Sequence, residues 1–228
     1  MLWPNKMKEK PNEWVAISDL MAGVMAVVML LLVVSVLKST FSEIKYQQEL
    51  SSERQQKAIE RSKLSNMLED LRRVFIESNA DGLVMFDFDA AKITLKDNIF
   101  SRGSACIIPE AKVALQSVEG NIKDFLQAFD EGQIYVEGHT DSIPVSHPVT
   151  DHKRYCTVYD DNYTLSAARA REARKLLIGS LSFKDARRVI VAGYGDSQPV
   201  NSDSPEDAEN RRVEVNFVMT KATRKIEG

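Results

Sequence analysis

Asp19 is the one charged residue within the apolar stretch of residues 14–37. A carboxylate inside a membrane helix costs about 2.5–3.5 kcal/mol on insertion scales, so such a group usually faces a partner helix or a wet cavity. There it can bind and release a proton as its surroundings change. We therefore predict that Asp19 is a functional residue. A static hydrogen-bonding lock between helices is the structural alternative.

His139 and Asp141 form a second group of residues with chemical potential, in the sequence Gly-His-Thr-Asp. A histidine near a carboxylate is a candidate for acid–base catalysis, but no suitably placed serine or cysteine motif accompanies it. No metal-ligand spacing such as His-Glu-x-x-His is present either. We interpret His139 as a turn-shaping residue, and we expect no enzyme active site, no metal site and no cofactor.

The apolar stretch itself predicts one transmembrane helix over residues 14–37. At about 1.5 Å per helical residue it measures roughly 36 Å, which is enough to cross a bilayer with some tilt. Ala22, Gly23 and Ala26 lie three, four and seven residues after Asp19, so a small-residue face accompanies the carboxylate. Such a face permits close approach of another helix.

Residues 1–13 carry Lys6, Lys8 and Lys10, which favours a cytoplasmic N-terminus by the positive-inside rule. The rest of the chain would then lie across the bacterial inner membrane, in an oxidising compartment. A disulfide between Cys106 and Cys156 could persist there, and two unpaired buried thiols are the alternative.

The 228 residues leave room for one sizeable soluble domain after the membrane segment, and the net charge of −3 excludes a broad basic surface for nucleic acid. Residues 38–80 are polar, contain neither proline nor glycine, and predict a helical connector that could pair with its twin in a homodimer.

Residues 81–220 show strands that alternate with helices, followed by a tail over residues 221–228. The order favours an α/β (α+β) fold in which helices pack on a βαβαβ sheet. The predicted strands cover residues 83–88, 92–95, 133–137, 188–192 and 212–218, and the predicted helices cover residues 109–129 and 164–178.

Three segments of this domain, residues 136–141, 162–170 and 210–214, resemble the peptidoglycan-binding domain shared by the OmpA and MotB families. They read Val-Glu-Gly-His-Thr-Asp, Asn-Tyr-Thr-Leu-Ser-Ala-Ala-Arg-Ala and Asn-Arg-Arg-Val-Glu. A stem peptide presents ammonium and carboxylate groups, which an acceptor and a cationic fork can bind. The resemblance assigns contacts with diaminopimelate to Asp141 and Arg169, and further ligand contacts to Asn162 and Arg212.

The resemblance also bears on the cysteines, because in the related fold the regions of Cys106 and Cys156 both border the pocket. We therefore predict a disulfide between them. Residues 142–164, which include Cys156, form a longer segment than the family usually carries at this place.

Residues 14–21, Trp-Val-Ala-Ile-Ser-Asp-Leu-Met, resemble the start of the membrane helix in MotB-type stator subunits. The resemblance implies a homodimer inside a pentamer of MotA/ExbB-like multi-span subunits, a 5:2 motor in which Asp19 binds a coupling ion, expected to be the proton. Because its connector is short, the chain resembles the B component of the Zorya anti-phage system. A flagellar stator subunit and a passive peptidoglycan anchor without ion flux are the alternatives.

Overall fold

The computed structural model describes residues 13–219. Most of the predicted cytoplasmic N-terminus, and the predicted tail over residues 221–228, lie outside the described residues. The chain divides into two compact units, the first ending at Ile59 and the second beginning at Glu60.

The first unit is formed by helix α1 (Glu13–Glu77), which begins there and ends in the second unit. Its apolar part includes an 18-residue window with a mean hydropathy of 2.9, and the side chains of that window are exposed. Within the described part of the chain, this is the one helix that is long and apolar enough to cross a membrane. It has the length and composition of a single-pass membrane anchor.

The second unit includes the last turns of α1. Leu64, Leu68, Leu71 and Phe75 are spaced three and four residues apart, so they lie on one face of the helix, and all four are buried in the hydrophobic core. The compact unit therefore includes the last part of the predicted helical connector.

A five-stranded sheet forms the centre of the second unit. Its strands are β1 (Val84–Asp87), β2 (Lys92–Lys96), β3 (Gly132–His139), β4 (Val189–Gly193) and β5 (Arg212–Met219). They are arranged in the order β1-β2-β5-β3-β4, and every pair is antiparallel except the parallel pair of β3 and β4. The predicted mixed α/β class is confirmed.

The helices of this unit are α2 (Pro109–Ser117), α3 (Glu119–Ala128), α4 (His152–Tyr155), α5 (Asn162–Ile178) and α6 (Phe183–Ala186). The prediction of one continuous helix over residues 109–129 is wrong, because α2 ends at Ser117 and α3 begins at Glu119, with Val118 between them. Glu119 at the break accepts hydrogen bonds from the backbone and hydroxyl of Ser180, both at 2.7 Å, which hold the start of α3 beside the end of α5.

The two faces of the sheet differ because successive side chains of a strand point to opposite sides. On β5, Val213, Val215 and Phe217 are buried in the hydrophobic core. The alternate positions carry the polar side chains of Arg212, Glu214 and Asn216. We call the side that carries this second set the polar face.

Glycines let helix α5 approach the sheet closely. A Cβ atom added at Gly138 would lie 1.9 Å from the backbone oxygen of Ser166, and one added at Gly193 would lie 2.6 Å from the Cβ of Ala167. Both distances are far below van der Waals contact, so larger residues would force the helix away from β3 and β4.

We therefore expect Gly138→Ala to destabilise the protein. Overpacking against a helix backbone should cost at least about 3 kcal/mol, which corresponds to a Tm lower by about 6–12 °C. Differential scanning calorimetry of the full chain in detergent measures this change. Gly120→Ala is the matched control, because an added Cβ meets nothing within 4 Å there. Equal melting of the two variants would contradict the close packing.

Candidate functional site

Asp141 lies two residues after the end of β3 and is buried. Nη1 of Arg211 donates a hydrogen bond to its Oδ2 at 2.6 Å, and the backbone N–H of Ile143 donates to its Oδ1 at 3.2 Å. An ionised carboxylate has about four acceptor positions, so these two contacts leave Asp141 able to accept further hydrogen bonds.

Arg169 projects from helix α5, and only 3% of its surface is exposed. Its Nε donates to the backbone oxygen of Ser104 at 3.1 Å, and its guanidinium lies 5.1 Å from the centre of the Phe100 ring. Nη1 lies 3.3 Å from Oδ1 of Asp97 but is not aligned for a hydrogen bond. Burial lowers the pKa of Arg169, while the charge of Asp97 opposes that change.

Arg211 joins the two halves of the site, since it contacts both carboxylates. Its Nε lies 3.0 Å from Oδ2 of Asp97, in addition to the contact with Asp141. Although burial opposes ionisation, hydrogen bonds to Asp141 and Asp97 raise the pKa of Arg211. We call Arg169, Asp97, Arg211 and Asp141, in this spatial order, the charge series.

The charge series has two members that our sequence analysis missed. Asp97 follows β2 in a short 3₁₀ helix and carries no local signal of its role. Arg211 is the first arginine of the Asn-Arg-Arg segment, so the motif did point to this position, but only the spatial arrangement distinguishes it from its neighbour Arg212.

Asn162 supports the site through the backbone. Its Nδ2 donates to the backbone oxygens of Asp141 at 3.2 Å and Ile143 at 3.0 Å, which fixes the turn that carries the carboxylate. Asn162 begins helix α5, and the preceding Asp161 caps the helix by accepting from the backbone N–H of Thr164 at 2.6 Å. This hydrogen bond lowers the pKa of Asp161.

Arg212, the fourth predicted contact residue, lies on the polar face of the sheet. Its Nε donates to Oε1 of Glu214 at 2.7 Å, and its cross-strand partner is His139. His139 is the last residue of β3 and stacks on Tyr194, with ring centroids 5.3 Å apart. The interpretation of His139 as a turn residue is therefore wrong. Burial and the charge of Arg212 lower the pKa of His139 to about 4, so the imidazole is neutral near pH 7.

Asp19 lies in the first unit, where its side chain is exposed on the surface of the single helix. It borders a shallow groove together with Gly23 and Val27. The small Gly23 side leaves space for another chain to approach the carboxylate.

The combination of fold and motifs agrees with a known family. The sequence profile of the OmpA family matches residues 99–212, a span that includes strands β3 and β4, helices α2–α6 and the charge series except Asp97. The chain belongs to the OmpA family.

The chain is also similar to two other bacterial proteins. The chain is 29% identical over 137 residues to a protein of Escherichia coli K12 named as a truncated flagellar export/assembly protein, LafU, with 58% of this chain and 56% of that protein covered. It is 32% identical over 127 residues to YtxE of Bacillus subtilis 168, an uncharacterised protein, with 55% and 46% covered. The chain thus spans about half the length of these relatives.

A solved structure shows the same fold. The crystal structure of a MotB-like protein from Desulfovibrio vulgaris matches with a TM-score of 0.51 and 22% identity, covering 70% of this chain and 96% of that one. At this identity the similarity establishes the OmpA-like fold and nothing more specific.

A disulfide joins Cys106 and Cys156 beside the charge series of the OmpA-like domain, with Cα atoms 5.1 Å apart. The same contact region is reinforced by the backbone N–H of Ala105 and the hydroxyl of Ser104, which donate to the backbone oxygen of Tyr155 at 3.1 and 3.0 Å. The backbone oxygen of Ser104 is the acceptor for Arg169. The bridge therefore ties the long segment 142–164 to the loop that positions Arg169.

We expect the two cysteines of the protein isolated from membranes to resist alkylation until a reductant is added. The bridge closes a loop of 50 residues, which corresponds to about 4 kcal/mol in the chain-entropy model. Peptide mass spectrometry without reductant should find the linked pair, and Cys106→Ser/Cys156→Ser should lower Tm. Two freely alkylated thiols in the unreduced protein would exclude the bridge.

Proposed function

We propose that the OmpA-like domain binds peptidoglycan at the charge series and that the chain is the wall-anchored subunit of an ion-driven membrane motor. The observation that carries the first part is the alternation of two arginines and two carboxylates in one site. A ligand with both an ammonium group and a carboxylate matches this pattern. The stem peptides of peptidoglycan that contain diaminopimelate carry both groups.

The proposal assigns a role to each side chain. Asp141 accepts from the ligand ammonium, and the guanidinium of Arg169 donates to the ligand carboxylate. Arg211 holds the carboxylate of Asp141 in place. Asn162 positions the turn that carries Asp141 through its Nδ2 group.

We expect Asp141→Asn and Arg169→Lys to lose binding to purified peptidoglycan sacculi. Removing one member of a desolvated charge contact costs at least about 2 kcal/mol, roughly a 30-fold loss of affinity. These variants keep side-chain volume, whereas alanine at position 169 would also remove packing against Phe100. Sedimentation with sacculi measures binding by the full chain in detergent.

Lys175→Ala provides the matched control for this experiment. Lys175 lies on the same helix, is exposed, and pairs only locally with Glu172. It should bind sacculi like the unaltered chain, and all variants should melt within a few degrees of each other. Undiminished binding by both Asp141→Asn and Arg169→Lys would place the ligand elsewhere.

The motor assignment rests on Asp19 in the apolar part of α1. A lone carboxylate exposed on the membrane helix of a single chain requires neighbouring helices around it. We propose that two copies of this chain lie within a pentamer of MotA/ExbB-like multi-span subunits, and that Asp19 binds and releases protons to drive rotation. The N-terminus would then be cytoplasmic and the OmpA-like domain periplasmic.

The spacing between membrane and domain favours a role in Zorya-type anti-phage defence. Only residues 38–59 separate the apolar segment from the compact unit that begins at Glu60. As a helix, these residues measure about 33 Å. A connector of this length limits how far the domain can extend from the membrane, which suits a sensor of disturbance of the cell envelope.

A flagellar stator subunit is the second candidate, favoured by the similarity to a protein named for flagellar export or assembly. A passive peptidoglycan anchor is the third. Deletion of the gene from its host distinguishes the first two: loss of swimming supports a stator, and loss of phage resistance supports defence.

We expect Asp19→Asn to abolish function while preserving membrane insertion and complex assembly, since asparagine keeps the size and polarity but cannot titrate. Efficiency of phage plating measures function, and recovery of the complex from membranes measures assembly. Asp81→Asn, an exposed change at the start of a 3₁₀ helix, is the control. Full protection by Asp19→Asn would favour the passive anchor.

A further inference from the structure

The polar face of the sheet brings two glutamates and a histidine together. Glu137 on β3 lies directly opposite Glu214 on β5 in the antiparallel ladder, and His139 follows two residues later on the same side of β3. The ligand atoms of these three residues all lie within 4.8 Å of one another. Two carboxylates directly opposite each other repel, so the arrangement requires compensating charge.

His139 is the second observation that points to a ligand. It is 1% exposed, and neither Nδ1 nor Nε2 has a hydrogen-bond partner in the described structure. A buried polar group without a partner costs about 1–3 kcal/mol. A metal ion bound by one of the ring nitrogens would supply the partner that this nitrogen lacks in the described structure.

Each carboxylate is oriented by a hydrogen bond from a neighbouring side chain. Nδ2 of Asn216 donates to Oε2 of Glu137 at 2.7 Å, and Nε of Arg212 donates to Oε1 of Glu214 at 2.7 Å. Outer-shell donors of this kind orient metal-binding carboxylates in proteins.

We propose that Glu137, His139 and Glu214 bind one divalent transition-metal ion of the zinc class. One imidazole and two carboxylates suit Zn²⁺ better than Mg²⁺, which prefers an all-oxygen shell. Tetrahedral zinc places its ligand atoms about 3.3–3.5 Å apart. Side-chain movements that bring the three ligand atoms about 1 Å closer together would reach this geometry. Three protein ligands leave a fourth position for water.

Lys92 is the group that competes with the metal. Its Nζ lies 3.2 Å from Oε2 of Glu214, the oxygen that Arg212 leaves free. The lysine side chain is partly exposed and can move into solvent, whereas the buried Arg212 remains on Oε1. Metal binding therefore replaces the flexible ammonium group of Lys92 with the metal ion. Removal of this ammonium group should raise the affinity for the metal.

The test is a Zn²⁺ titration of the full, tag-free chain in detergent against a chromophoric chelator, with native mass spectrometry to count bound ions. We expect one Zn²⁺ per chain, affinity lowered by more than about tenfold in His139→Phe and in Glu137→Gln, and affinity raised about tenfold in Lys92→Met. Mg²⁺ in millimolar excess should not displace the zinc.

His147→Gln/His152→Gln is the matched control, since it removes the other two histidines of the chain, both in the segment 142–164. If this control binds zinc like the unaltered chain, the result supports the proposed site. If the control does not bind zinc, the proposal is overturned. Zinc binding that survives both Glu137→Gln and His139→Phe overturns it as well. The proposal is also overturned if neither the unaltered chain nor Lys92→Met binds zinc. Calorimetry of each variant confirms that it is folded.

Discussion

The close approach of helix α5 to strands β3 and β4 is the constraint on which the candidate site depends. Gly138 and Gly193 leave no room for a Cβ beneath Ser166 and Ala167, so the helix is fixed in depth against the ends of two strands. Ser166 reinforces the contact through its hydroxyl, which accepts from the backbone N–H of Gly195 at 3.0 Å. One turn further along the helix, Arg169 is thereby placed within reach of the charge series.

The charge series is assembled from four separate parts of the chain, and two of its members, Arg169 and Asp141, are buried. Arg169 comes from a helix, Asp97 from a 3₁₀ turn, and Arg211 and Asp141 from the segments beside two strands. Each charge lies beside an opposite one, so desolvation is offset by mutual attraction. The disulfide and Asn162 hold the surrounding loops, so contacts within the fold fix the spacing of the charges.

The two faces of the sheet carry different chemistry because of strand alternation. One face is the hydrophobic core, against which the helices and the end of α1 pack. The other carries Arg212, Glu214, Glu137 and His139 in adjacent strands. Both kinds of site meet near the end of β3, where His139 contributes to the polar face and Asp141, two residues later, contributes to the charge series.

Local sequence patterns were sufficient for the elements that repeat along the chain. Alternating apolar residues predicted the strands, helical spacing predicted α1 and α5, and motif order predicted the family that the sequence profile confirms. The apolar stretch around Asp19 was equally clear, because twenty or so apolar residues have few other structural uses.

What only the tertiary structure decided concerns contacts between distant segments. Strand register, rather than the motif, places Arg211 beside Asp141 and Arg212 beside His139. Core packing moves the start of the compact unit to Glu60, and the docking of Glu119 on Ser180 accompanies the break between α2 and α3. Periodicity describes a residue's neighbours along the chain. Its partners across the fold depend on register and packing, to which segments far apart in the sequence contribute together.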